Sequence, residues 1–281
     1  MVSISKQIVL YVALLFFSIS AVQAQQESLS LTNQPKIVVS IEPLYEIVSS
    51  LSHGIVKPHV VYLNLSDIHK PLTAYQHGML QNADIIIRVG KGLEPLLDDF
   101  LQQQGQSIKN KTITLSNYIP LLEKEGLRSG LPENAIFTDR QTSSDLRFWM
   151  DPRLVKMLVS FIAPRLVTMD PLHQEEYLDN EIVLKAQLKK VEDKMLTLFN
   201  QLSFEQKFLI ARFNPYLKNR YMNFADINHV AAHNHIQPGV VSCIQNHSFS
   251  TIPLNLEYTE RALNSLLQTL ELCSKSRIVI R

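Results

Sequence analysis

Only two cysteines, eight glycines and one tryptophan occur among the 281 residues, and the formal net charge is just +1. Each shortage narrows the reading. With 27 basic against 26 acidic side chains there is no cationic surplus to neutralise phosphates, so nucleic acid is not an expected partner. No basic stripe or block of like charge appears either. Glycine is too scarce to favour a phosphate-cradling loop, and neither Gly-x-Ser-x-Gly nor His-Glu-x-x-His is present. An enzyme is therefore not expected. After Ala24 no run is long and apolar enough to cross a bilayer, and no internal repeat or low-complexity tract is evident.

What is there is an ordinary globular balance, with 46% hydrophobic and 19% charged residues. The length allows one large domain or two modest lobes. The first residues read as an export signal. Lys6 supplies the positive start, Ile8 to Ala21 is almost uncharged and apolar, and Val22-Gln23-Ala24 offers small residues to signal peptidase. Cleavage is expected after Ala24, leaving residues 1–24 as signal peptide. No cysteine stands at that point to carry a lipid anchor. In an exported chain Cys243 and Cys273 are natural disulfide partners, and closing a loop of about 30 residues would contribute on the order of 3 kcal/mol. Two buried free thiols are the alternative.

Along the chain, strands and helices alternate. Lys36 to Ser40, Val56 to Leu63, Asp84 to Val89 and Thr112 to Leu115 read as strands. The third is apolar throughout, as in a parallel sheet covered on both faces. Helical spacing runs from Pro43 to Leu51, Leu72 to Leu80 and Leu93 to Gln103. The pattern is that of an α/β lobe. Residues 123–144 read as a long polar surface loop. Asp170-Pro171 then caps the longest periodic segment, with Leu178, Ile182, Leu188, Val191, Met195, Leu198 and Leu202 placed on one face. A helix of about 30 residues spans roughly 45 Å, which suits a bridge between two lobes better than a cover for one sheet. A strand at Phe208 to Ala211 and a terminal helix from Tyr258 to Ser274 complete a short second lobe.

Several segments carry a family likeness. Ile41-Glu42-Pro43-Leu44, Leu80-Gln81-Asn82-Ala83-Asp84 with Val89-Gly90-Lys91-Gly92-Leu93-Glu94, and Asp145-Leu146-Arg147-Phe148-Trp149-Met150-Asp151-Pro152 resemble the zinc- and manganese-specific solute-binding proteins of ABC importers (the ZnuA/TroA family). Ile236-Gln237-Pro238-Gly239 adds a weaker match, and Cys243 with Cys273 fits the disulfide of some zinc-specific members. The resemblance implies two α/β lobes with parallel sheets joined by a long rigid linker helix, the second lobe here shortened. It assigns residues 25–170 to the first lobe, 171–204 to the linker helix and 205–281 to the second. It also implies a monomer in the periplasm that captures a divalent metal in the cleft and delivers it to an inner-membrane ABC permease.

Such proteins hold metal with about three histidines and a carboxylate, donors that suit zinc. The first histidine corresponds to His69, and the second falls on Arg147, which has no lone pair to offer. A unit positive charge about 5 Å from a divalent ion costs roughly 6 kcal/mol at an effective dielectric near 20. The third falls on Ala211 or Arg212, and the late carboxylate has no counterpart. A replacement set is available in His229, His233 and His235, with His247 and Asp226 near in sequence; joined by His69 from the first lobe, they could take Zn2+ or Mn2+. Other readings stay open: Arg147 paired with Asp67 or Asp145 in an accessory or scaffold protein that binds no metal, or Arg147 holding an anion bidentately.

Overall fold

The computed structural model describes residues 34–123, 144–201, 207 and 216. The expected signal peptide, the strand from Phe208, the 229–247 histidines, Cys243, Cys273 and the terminal helix lie outside these residues.

Four strands form one parallel sheet: β1 (Ile37–Ile41), β2 (His59–Tyr62), β3 (Ile85–Arg88) and β4 (Thr112–Thr114), in the order β2-β1-β3-β4. Val39 stands beside Val60 on one side and Ile87 on the other, making β1 the central strand. Every residue of β1 and β3 is buried, and both are mostly apolar runs rather than alternating ones, broken only by Ser40 and Arg88. The chain leaves β1 toward β2 and later returns to β3 on the other side. That reversal puts the topological switch point of the sheet at the carboxyl ends of β1 and β3, the usual ligand position in such sheets.

Helices close the layers. In α1 (Glu42–Leu51) Leu44, Ile47, Val48 and Leu51 are buried, and Pro43 sits in the first turn, where its missing N–H costs nothing. In α2 (Ala74–Gln81) a capping box links Thr73 and Gln76. A short 3-10 turn, Leu65–His69, follows β2 and packs with α3 (Pro95–Gln103). After α4 (Gln106–Asn110) and β4, Leu122–Glu123 (β5) and Ser144–Asp145 (β6) pair antiparallel, drawing together the two ends of the expected surface loop.

Between Pro152 and Met169 the structure has an 18-residue helix, α5, that the sequence reading does not anticipate. Its signal was present. The Asp151 side chain accepts from the Arg153 amide at 2.9 Å and Pro152 opens the first turn, the same Asp-Pro start seen at Asp170-Pro171. Leu154, Val155, Leu158, Val159, Ile162, Ala163 and Leu166 form its buried stripe.

The long helix starts slightly later than expected. Pro171–His173 is a 3-10 turn, and α6 runs from Gln174 to Gln201, about 42 Å at 1.5 Å per residue. It packs along α5 and against α1. Lys156 on α5 pairs with Glu192 at 2.6 Å, and Asn180 donates to the Leu51 and His53 carbonyls. The face it buries is rotated from the expected one in its first half. Tyr177, Leu184, Leu188, Val191, Met195 and Phe199 face inward, whereas Leu178 and Ile182 are exposed. Two apolar side chains four apart look like a core stripe in sequence; here the aromatic one residue earlier packs inward.

Candidate metal centre

The carboxyl end of the sheet is bordered by segments that follow the strands. After β3 the chain makes a tight loop through Gly90 and Gly92. A Cβ on Gly90 would stand 2.3 Å from Ser116 Oγ and 3.5 Å from Leu146 Cδ2. This close approach brings the Asp145–Arg147 segment against the end of β3. Gly92 has φ 93°, the left-handed region open to glycine.

Arg147 is held by Asp145. Its Nε donates to Oδ1 at 3.0 Å and Oδ2 at 3.1 Å, its Nη2 donates to Oδ2, and its backbone amide donates to Oδ1 at 2.8 Å. Side-chain exposure is 17% for Arg147 and 4% for Asp145, so the pair is largely removed from water. Such a fork-on-carboxylate contact is among the stronger charge-assisted arrangements. Asp67 is not the partner; it pairs with Lys70 at 2.8 Å, and that hydrogen bond holds its carboxyl below the usual range. Behind the clasp, the buried Tyr216 hydroxyl donates to the Asp145 carbonyl and accepts from the Leu122 amide. Burial, foremost, pushes the Tyr216 phenol well up.

His69 ends the 3-10 turn beyond β2, exposed and with its carbonyl-side neighbour Lys70 capping the turn onto Asp67. Among the described residues no three His, Cys, Asp or Glu side chains gather as a metal-binding group. His69 is therefore the one expected ligand the described residues contain. His229, His233 and His235 lie outside them, as do Cys243 and Cys273.

A second ionic cluster at the same end of the sheet is absent from the sequence reading. Arg88, 3% exposed, contacts Glu94 at 3.1 Å and Asp98 at 2.6 Å and donates to the Gly90 carbonyl at 2.8 Å. Glu94, fully buried, also accepts from the Val89 and Gly90 amides. Asp98 accepts from the Gly92 amide at 3.0 Å. These bonds cinch the glycine loop onto α3. The signal was the arginine itself: a charge ending an apolar strand must find a buried counter-charge.

The Tyr62 hydroxyl is buried near this cluster. Desolvation first, then Glu94 and Asp98, push its phenol up to about 12, with Arg88 opposing. The folded state therefore keeps this proton longer than the unfolded chain, whose tyrosines ionise near pH 10. The resulting stability is complete below about pH 10 and is lost as pH rises toward the folded value. Melting temperature should fall from pH 10 upward, and Tyr62→Phe should make that fall shallower. An unchanged profile in the variant would assign the alkaline loss elsewhere.

Comparison with known proteins places this arrangement. Residues 37–244 match the family model for the zinc-uptake complex component A, periplasmic. The chain belongs to that family. It is 25% identical over 217 residues to the high-affinity zinc uptake system protein ZnuA of Brucella abortus (strain 2308), a match covering 61% of this chain and 64% of the relative. Thus the match spans a little under two thirds of the Brucella protein. Among solved structures, the zinc-bound AdcAII variant of Streptococcus pneumoniae aligns with a TM-score of 0.58 at 16% identity, over 84% of this chain and 98% of that one. The periplasmic zinc-binding protein TroA of Treponema pallidum gives 0.57 at 14% identity, over 85% and 99%. At these identities the likeness establishes the fold, and it is the α/β solute-binding architecture expected from the sequence.

Proposed function

We propose that this chain is the periplasmic binding component of a zinc or manganese ABC importer, a non-enzymatic protein that captures a divalent ion between its lobes and hands it to an inner-membrane permease. The observation that carries this reading is the family match across residues 37–244. His69 supplies one ligand from the first lobe, and His229, His233 and His235 supply the others. The ion is cargo, Zn2+ or Mn2+. The leader ending at Ala24 takes the chain to the periplasm, the long helix α6 links the lobes, and Cys243 bonds to Cys273.

The test is calorimetric titration of chelator-stripped protein with zinc and manganese. His69→Ala and the double change His233→Ala/His235→Ala should each weaken binding at least tenfold, about 1.4 kcal/mol. Binding indifferent to both would refute this ligand set.

One observation favours a second reading. Asp145 already engages the Arg147 guanidinium in a two-pronged contact, giving the position a permanent internal cation. In that reading the protein keeps the fold, binds no metal and acts through protein contacts. The same contact argues against an anion receptor centred on Arg147, because the fork an anion would use is turned to Asp145.

A further inference from the structure

We propose that Tyr216 is a positioning residue of the metal centre: its hydroxyl ties the chain beyond α6 to the segment that carries position 147. The proposal rests on the importer reading above and adds to it a residue that acts through others. Tyr216 is 1% exposed, and its hydroxyl reaches two groups far back in the chain. It donates to the carbonyl of Asp145, 71 residues earlier, and accepts from the amide of Leu122, 94 residues earlier, at 3.4 Å. Those two residues are register partners in the β5–β6 ribbon, so the one hydroxyl joins both strands. Burial, foremost, keeps the phenol protonated and able to donate.

The ribbon needs such a tie. Each of its strands has two residues, and it is separate from the four-stranded sheet. A two-stranded pair is at best marginal by itself. Downstream of Arg147 the chain is fixed by the 3-10 turn Phe148–Met150, in which all three residues are buried. Upstream, Asp145 is gripped twice: its carboxylate takes the Arg147 amide and guanidinium, and its carbonyl takes Tyr216. The first grip is internal to the segment and moves with it. The second reaches a separate part of the chain, so it can set where the segment stands. Five and four residues before Tyr216 are Ala211 and Arg212, where the resemblance implies the third histidine. The hydroxyl thus links, through short stretches of chain, the segments to which the resemblance assigns two ligand positions. Without it, a buried carbonyl and amide lose their partner, and the ribbon end that leads into Arg147 is freed.

Tyr216→Phe keeps the ring and removes the hydroxyl, and two measurements on the full mature chain test its effect. The first is amide hydrogen exchange of chelator-stripped protein. Exchange at Leu122 and Arg147 should rise about tenfold in the variant, while the amides of β1 and β3 stay as protected as in the wild type. The second is a double-mutant cycle in zinc affinity with Arg147→His. That substitution should strengthen zinc binding at least tenfold when Tyr216 is present, and the gain should shrink about fivefold when Tyr216 is Phe. A hydroxyl that only stabilised the fold would produce neither the local exchange pattern nor the coupling. Exchange that rises evenly through β1 and β3, exchange unchanged at Leu122 and Arg147, or an Arg147→His effect of equal size in both backgrounds would each overturn the proposal. Zinc bound by none of the four proteins would overturn the importer reading and the role of Tyr216 with it; zinc bound without coupling would overturn that role alone.

Discussion

Replacing Arg147 by histidine should raise zinc affinity at least tenfold, about 1.4 kcal/mol. The resemblance implies an imidazole at this position, where arginine brings a fixed positive charge instead of a lone pair. Asp145 neutralises much of that charge, so the full Coulomb penalty of roughly 6 kcal/mol at 5 Å and a dielectric near 20 does not apply. What the exchange returns is one ligand and a freed carboxylate. Arg147→Gln removes the cation without adding a strong donor and should give only part of the gain. Equal affinities in wild type and Arg147→His would mean that this position does not border the ion.

The second large effect is on stability. Arg88→Met should destabilise the protein by about 3–5 kcal/mol, because it leaves Glu94 and Asp98 without their buried cation. For a chain of this size that corresponds to a melting temperature lower by on the order of 10 °C. The loss should not be additive. Adding Glu94→Gln to Arg88→Met removes the stranded charge and should recover roughly 1–3 kcal/mol relative to the sum of the single changes. Thermal melts of the four proteins complete the cycle. A loss under about 1 kcal/mol for Arg88→Met would show that water, rather than protein, solvates these carboxylates.

The two effects bear on what the sequence reveals. The sheet was legible because β1 and β3 are buried on both faces, which leaves Ile-Val-Val and Ile-Ile-Ile as unbroken runs. The loop after β3 entered the sequence analysis only as part of a family likeness; that Gly90 has no room for a Cβ depends on Ser116 and Leu146, which tertiary contacts bring to it. Helix α5 escaped although its Asp-Pro cap is as clear as the one at Asp170-Pro171, since the same residues also serve as the end of a family motif. The facing of α6 escaped for a different reason. Leu178 and Ile182 satisfy a helical period by themselves, and only packing against α5 and α1 shows that Tyr177 and Leu184 turn inward instead.

At the site, the sequence offered Asp145 and Asp67 as partners for Arg147, and the geometry selects Asp145. It could not rank them, because both carboxylates lie in segments whose approach depends on tertiary contacts. The Arg88–Glu94–Asp98 cluster escaped although its parts are near in sequence. Its members bridge a strand end, a glycine loop and a helix, a separation that no local period records.

The most direct test of the account is the midpoint of thermal unfolding of chelator-stripped mature protein with and without zinc. A binder at 100 times its dissociation constant should gain about 2.7 kcal/mol, so the midpoint should rise by several degrees, and His69→Ala should reduce that rise. A midpoint unmoved by excess zinc and by manganese would contradict metal capture and leave the closed Asp145–Arg147 pair as the mark of a protein that keeps the fold without the cargo.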